Sequence, residues 1–305
     1  MLKEALSFLV LFLVVQIGMT QENPTAFESQ PDTIAIVLTE HNNVALKAIV
    51  NETDTLTLML HTAVNDVSLT KAATAGLRSM KFSSADSVES WGGTSESKYS
   101  EGNSLKIGEF NWNDVGIWES EHSGHDTDGK FGLNLFAGKI VELNFEEEYM
   151  VIHTSLPELG NSYKRVPVIN KNGLIFIEGE CGFDIDVDTN EFLIHSGYSG
   201  AVLLDDDFVA RNKVGEKVET ISESSLKDSY GNELKTINAM LPTFRLGEME
   251  FSNVPVGFFA GSINRQKMSV LGGEILKRFN IIFDLEQSDI YIRANRLQWM
   301  PYPTK

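Results

Sequence analysis

The residues with the clearest capacity for chemistry are two histidines in matching settings. His61 follows the apolar run Leu58-Met-Leu and precedes Thr62-Ala63, while His195 follows Phe192-Leu-Ile and precedes Ser196-Gly197. An imidazole at the end of an apolar strand can accept a proton, donate one, or ligate a metal through a ring nitrogen. A third group, His122-Ser-Gly-His125-Asp126, has a spacing compatible with metal binding, although a solvated loop explains it equally well. Neither His41 nor His153 has an identifiable partner, and His153 reads as structural. Cys181 is the single cysteine. In Gly-Glu-Cys-Gly, with no Ser-His-Asp or Cys-His signature beside it, it reads as a small buried hydrophobe. The acids of Asp184-Ile-Asp-Val-Asp188 alternate and share one solvent face; a calcium loop would need a glycine and a distal glutamate.

Strands must position these groups. Val44–Val50, Leu56–Leu60, Ile140–Phe145, Leu174–Ile177, Phe192–Ile194 and Ile281–Leu285 are short, alternating and rich in Val, Ile, Phe and Leu. Helical signals are confined to Thr70–Leu77, Asp205–Asn212 and Glu274–Arg278. The class is all-β with short helices. An internal repeat organises it. The two histidine segments are followed by Leu105-Lys-Ile-Gly-Glu-Phe110 and Phe244-Arg-Leu-Gly-Glu-Met249, both hairpins with a Gly-Glu turn. Next come Phe131-Gly-Leu-Asn-Leu-Phe136 and Leu271-Gly-Gly-Glu-Ile-Leu276, each preceding a strand. His61 precedes Gly132 by 71 residues and His195 precedes Gly272 by 77. Three motifs in one order at nearly one spacing predict two related lobes, spanning 30–160 and 165–298, with the junction between Leu156 and Val168.

These residues resemble the bilobal aspartic proteases of the pepsin/retropepsin-like family over nearly all of 40–295. There each lobe presents an apolar-apolar-Asp-Thr/Ser-Gly turn and, later, an apolar-apolar-Gly element that crosses beneath it. Here the turns read Leu60-His61-Thr62-Ala63 and Ile194-His195-Ser196-Gly197, and the supports read Lys130-Phe131-Gly132 and Val270-Leu271-Gly272. Both catalytic aspartate positions hold histidine, and Ala63 stands where the family has glycine. The resemblance implies a ligand cleft between the lobes with His61 facing His195 at its floor. It implies that the Thr62 and Ser196 hydroxyls hold the two turns together, and that Asn65 and Ser199 sit where a side chain supports the catalytic group. Trp91-Gly92-Gly93 falls in the region of the family's flap.

The family mechanism uses two carboxylates sharing a proton, and neither is present. Three readings follow. A pseudoenzyme would keep the cleft and bind a peptide or protein ligand without cutting it. An imidazole pair would act as a hydrolase: close histidines resist double protonation, so one would be neutral and one cationic at about pH 6 to 7. A metal site would bind zinc or copper through His61 and His195, with His122 and His125 as further ligands. No other cofactor is expected.

Acidic residues outnumber basic ones by 43 to 25, a net charge of −18, which disfavours nucleic acid and anionic membranes as partners. Lys3, the apolar run Ala5–Ile17 and the small residues near Gly18 read as a signal peptide over 1–20. The mature protein is expected to be secreted or periplasmic, off the membrane, and monomeric.

Overall fold

The computed structural model describes residues 32–90, 93–183, 185–227, 231, 233–260 and 266–303. The expected leader over 1–20, Trp91-Gly92 and Asp184 lie outside the described residues. The chain is mostly β-sheet with a few short helices, as the alternating pattern predicts. All the described strands fall in three sheets.

The first sheet has eight strands, in the order Val37–Leu38, Val44–Val50, Asp54–Leu60, Gly129–Phe131, Val67–Thr70, Phe110–Ser120, Gly93–Ile107, Ser84–Ser90. The second also has eight: Ile169–Lys171, Leu174–Phe183, Asp186–His195, Ser269–Gly272, Val202–Leu203, Met249–Phe259, Glu233–Leu246, Glu219–Lys227. Strand for strand the two orders correspond. Even the parallel pairs recur: Asp54–Leu60 with Gly129–Phe131 matches Asp186–His195 with Ser269–Gly272. Val67–Thr70 with Phe110–Ser120 likewise matches Val202–Leu203 with Met249–Phe259. Both Gly-Glu hairpins form where expected, Ile107 pairing with Phe110 and Leu246 with Met249. Gly108 and Gly247 take φ of 58° and 56°, the left-handed conformation that a tight two-residue turn requires and glycine adopts without strain.

A third, six-stranded antiparallel sheet draws on both halves of the chain: Asp32–Ala35, Tyr149–His153 and Ile140–Asn144, then Phe279–Asp284, Asp289–Ala294 and Lys164–Pro167. At its centre Val141 faces Phe283 and Leu143 faces Ile281. Every residue of Phe279–Asp284 is buried, which explains its nearly unbroken apolar run. His153 sits in this sheet and pairs with Glu142 (Nε2 to Oε2, 2.8 Å), a structural role.

Two of the α-helices start on side-chain caps. Thr70 accepts the Ala73 N–H and Asp205 accepts the Phe208 N–H, opening Lys71–Thr74 and Asp206–Asn212. Cys181 is fully buried and its thiol is pushed far up by desolvation, which leaves it inert.

Candidate functional site

The strand Asp54–Leu60 delivers His61, and Asp186–His195 ends on His195. Each runs parallel to a short buried strand, with Leu60 beside Phe131 and His195 beside Gly272. The histidine carbonyls then accept N–H groups three residues on, from Val64 at 3.3 Å and Tyr198 at 3.1 Å, so each opens a tight turn. These turns rest on glycine. A methyl group on Gly132 would collide with the Val64 carbonyl, and one on Gly272 with the carbonyls of Tyr198 and Gly200. Both glycines have ordinary φ (−96° and −99°), so close approach rather than backbone conformation demands them.

Two hydroxyls lock the turns to each other. Thr62 N–H donates to Ser196 Oγ at 3.0 Å, and Ser196 N–H donates to Thr62 Oγ1 at 3.0 Å. Thr62 Oγ1 donates onward to the Ile194 carbonyl at 2.6 Å and Ser196 Oγ to the Leu60 carbonyl at 2.7 Å. All four bonds are buried, where an unmade partner would be costly. Asn43 adds a fifth tie, its amide donating to the Ser196 carbonyl at 3.2 Å.

This brace brings His61 and His195 together, with ring centroids 4.5 Å apart and planes at 56°. His61 Nδ1 accepts the Ala63 N–H at 3.2 Å, which leaves the proton of a neutral ring on Nε2. Its ring lies against Gly197, where any side chain would strike the imidazole. His195 Nδ1 is buried with no hydrogen-bond partner among the described residues. Burial is the largest influence on both rings and disfavours the imidazolium. It lowers His61 well below the ordinary histidine value, assisted by His195 and then Lys130. It lowers His195 to about 4, assisted by Lys130.

Desolvation and the Lys130 ammonium thus disfavour the imidazolium at both positions, against the neutral–cation pair expected at about pH 6 to 7. The expected supporting contacts differ as well. Asn65 is exposed and its amide lies over Gly173, while a backbone N–H, not Asn65, takes His61 Nδ1. Ser199 contributes its carbonyl, to the Asn42 amide at 2.8 Å, and its hydroxyl does not reach His195 Nδ1.

The rings open into a cavity of about 520 Å³. His122 lines it, whereas His125 is not among its lining residues and stacks on His41 with centroids 3.5 Å apart. Among the described residues no three His, Cys, Asp or Glu side chains gather as a metal would need. Nor does any aspartate or glutamate among them line the cavity.

Lys130, which also lines it, is buried at 8% exposure. In the sequence it is marked only as a lysine in the supporting segment Gly129-Lys-Phe-Gly132, where the partner half has Ser269-Val-Leu-Gly272. Among the described residues no helix is long and apolar enough to cross a membrane. No known protein-family model matches the chain, and no curated protein matches it.

Proposed function

We propose that this chain is an exported, two-lobed protein of pepsin-like fold, with lobes over 30–160 and 165–298, that binds peptide segments in its central cavity without aspartic-protease chemistry. The observation that carries this reading is the reciprocal Thr62–Ser196 brace. It joins two topologically matching turns and leaves two imidazoles, in place of carboxylates, at a cavity floor. A neutral His61 can offer its Nε2–H to a peptide carbonyl and so hold an amide in place. Two neutral rings lack the cationic acid that would protonate that carbonyl as water attacks. At neutral pH the site therefore binds without hydrolysing.

A second reading has one specific support, the 4.5 Å ring separation. If one ring is protonated, the neutral ring takes a proton from water as the oxygen attacks the carbonyl carbon, and the imidazolium gives its proton to the carbonyl oxygen. With His195 lowered to about 4, such a pair forms only in acid.

Both readings meet in one experiment. The purified mature chain is incubated with a peptide library from about pH 4 to about pH 8, with and without chelator, beside a His61→Gln/His195→Gln variant. Saturable binding without cleavage is expected across the range. Cleavage confined to the acid end and lost in the variant would replace the pseudoenzyme with the imidazole pair. Chelator-sensitive cleavage would point to zinc or copper.

A further inference from the structure

A neutral imidazole shares one proton between two nitrogens, and the surroundings of one nitrogen decide what the other presents. His61 Nδ1 takes the Ala63 N–H, so its lone pair is used inside the protein and its proton stands on Nε2. His195 reaches the same state by another route. Its Nδ1 is sealed from solvent and meets no partner among the described residues. A proton there would be a buried donor with nothing to bond, whereas on Nε2 it faces the cavity that the ring lines. Buried orphan donors are rarer in proteins than buried orphan acceptors, so the bare nitrogen is the one sealed in.

Neither Nε2 is sealed in this way, and no hydrogen bond joins the two rings, whose centroids stand 4.5 Å apart. The space before His61 Nε2 exists because residue 197 is glycine, since a methyl group there would strike that nitrogen.

We propose that His61 and His195 form a two-donor cradle, both turning Nε2–H into the cavity, that holds the oxygen of a single peptide carbonyl. This deepens, and rests on, the reading of the cavity as a peptide site. A carbonyl oxygen has two lone pairs and accepts both donors at once. The donors are uncharged, so a carboxylate would surrender its hydration for no countercharge from the rings, and an amide oxygen is the cheaper group to bury. An ammonium or N–H of the ligand finds no acceptor on either ring. The same assignment bears on hydrolysis. A general base must turn a lone pair toward the attacking water. Here one lone pair is on the Ala63 N–H and the other is sealed, so neither ring takes a proton from water in the cavity. Binding without cutting then follows from where the protons sit, and not only from how reluctantly the rings charge.

The first measurement needs no ligand. Proton–nitrogen correlation spectra of the isotope-labelled mature chain at about pH 7 distinguish a protonated ring nitrogen from a bare one. Both rings are expected as Nε2–H, with assignments from His61→Phe and His195→Phe. Nδ1–H on either ring overturns the cradle and leaves peptide binding standing. The second measurement uses a short fluorescent alanine peptide with leucine at its centre. In its analogues each central amide in turn becomes a thioamide, a weaker acceptor of nearly the same shape. One position is expected to weaken binding about ten-fold. Each Phe variant should weaken the parent peptide more than that analogue, because both changes remove the same bonds. Should a variant not fold, the thioamide scan on the wild-type chain still decides. Equal binding of every analogue overturns the cradle and keeps the peptide site. Acetate that displaces the peptide at comparable affinity makes the acceptor a carboxylate and overturns the carbonyl assignment. No binding of any peptide, with both rings seen as Nε2–H, overturns the peptide reading itself.

Discussion

Burial works against the charged form of both central imidazoles, and the consequence is a pH-dependent stability with a definite sign. The unfolded chain protonates its histidines near 6.5, whereas folded His195 does so near 4 and folded His61 well below 6.5. Above about pH 6.5 neither state binds these protons and the rings leave stability untouched. As pH falls from about 6.5 toward 4, the unfolded chain takes up protons that the folded one refuses. Stability then drops by up to about 1.4 kcal/mol per pH unit for each ring. Urea unfolding of the wild type and of His61→Gln/His195→Gln over this window should give a flatter profile for the variant. The carboxylates that titrate in the same range are common to both proteins and cancel in the comparison, so parallel profiles would refute the neutral-ring assignment.

The turns themselves depend on hydrogen bonds that no other group replaces. Thr62→Val removes a donor to the Ile194 carbonyl and the acceptor of the Ser196 N–H, leaving two buried backbone groups unsatisfied. A loss of about 2 to 4 kcal/mol is expected by chemical denaturation. Ser196→Ala should cost a similar amount, and the double variant less than the sum, because the two side chains serve one network. Much at this scale was legible beforehand. Val44–Val50 forms as read, its apolar residues mostly buried and Lys47 exposed, and Thr70 and Asp205 mark helix starts through their side-chain oxygens. Two things were not. Gly93–Ile107 is a fifteen-residue strand too polar to show alternation; Ser100 and Asn103 bond to each other inside it where its register with Phe110–Ser120 shifts. Lys130 was not legible, because the repeat identifies the supporting segments by their shared glycine and carries no information about a position where the halves differ. The brace was legible only through family resemblance, since hydroxyl spacing alone does not reveal a contact across more than a hundred residues of chain.

At the level of the whole molecule, neither half is self-contained. Strand pairing across the six-stranded sheet was invisible in the sequence, because periodicity reports which residues are buried and not which strand lies alongside. Glu274 extends the link between halves: it is buried, pairs with Arg278 and Lys277, and accepts from the Asn42 amide at 2.9 Å. Expressed alone, residues 31–160 and 161–303 should each self-associate or precipitate, whereas co-expression should return a 1:1 complex, as read by size-exclusion chromatography with light scattering. Well-behaved single-half monomers would count against this dependence.

The seam at Val141–Leu143 and Ile281–Phe283 has a deeper implication. Each side offers an antiparallel edge of nearly the same shape, so a liberated half has two suitors: its natural complement, or a copy of itself turned end for end. Fidelity between them must come from residues that break the likeness, and the pairing of Glu142 with Ile282 at the centre of the seam is one such mark of identity.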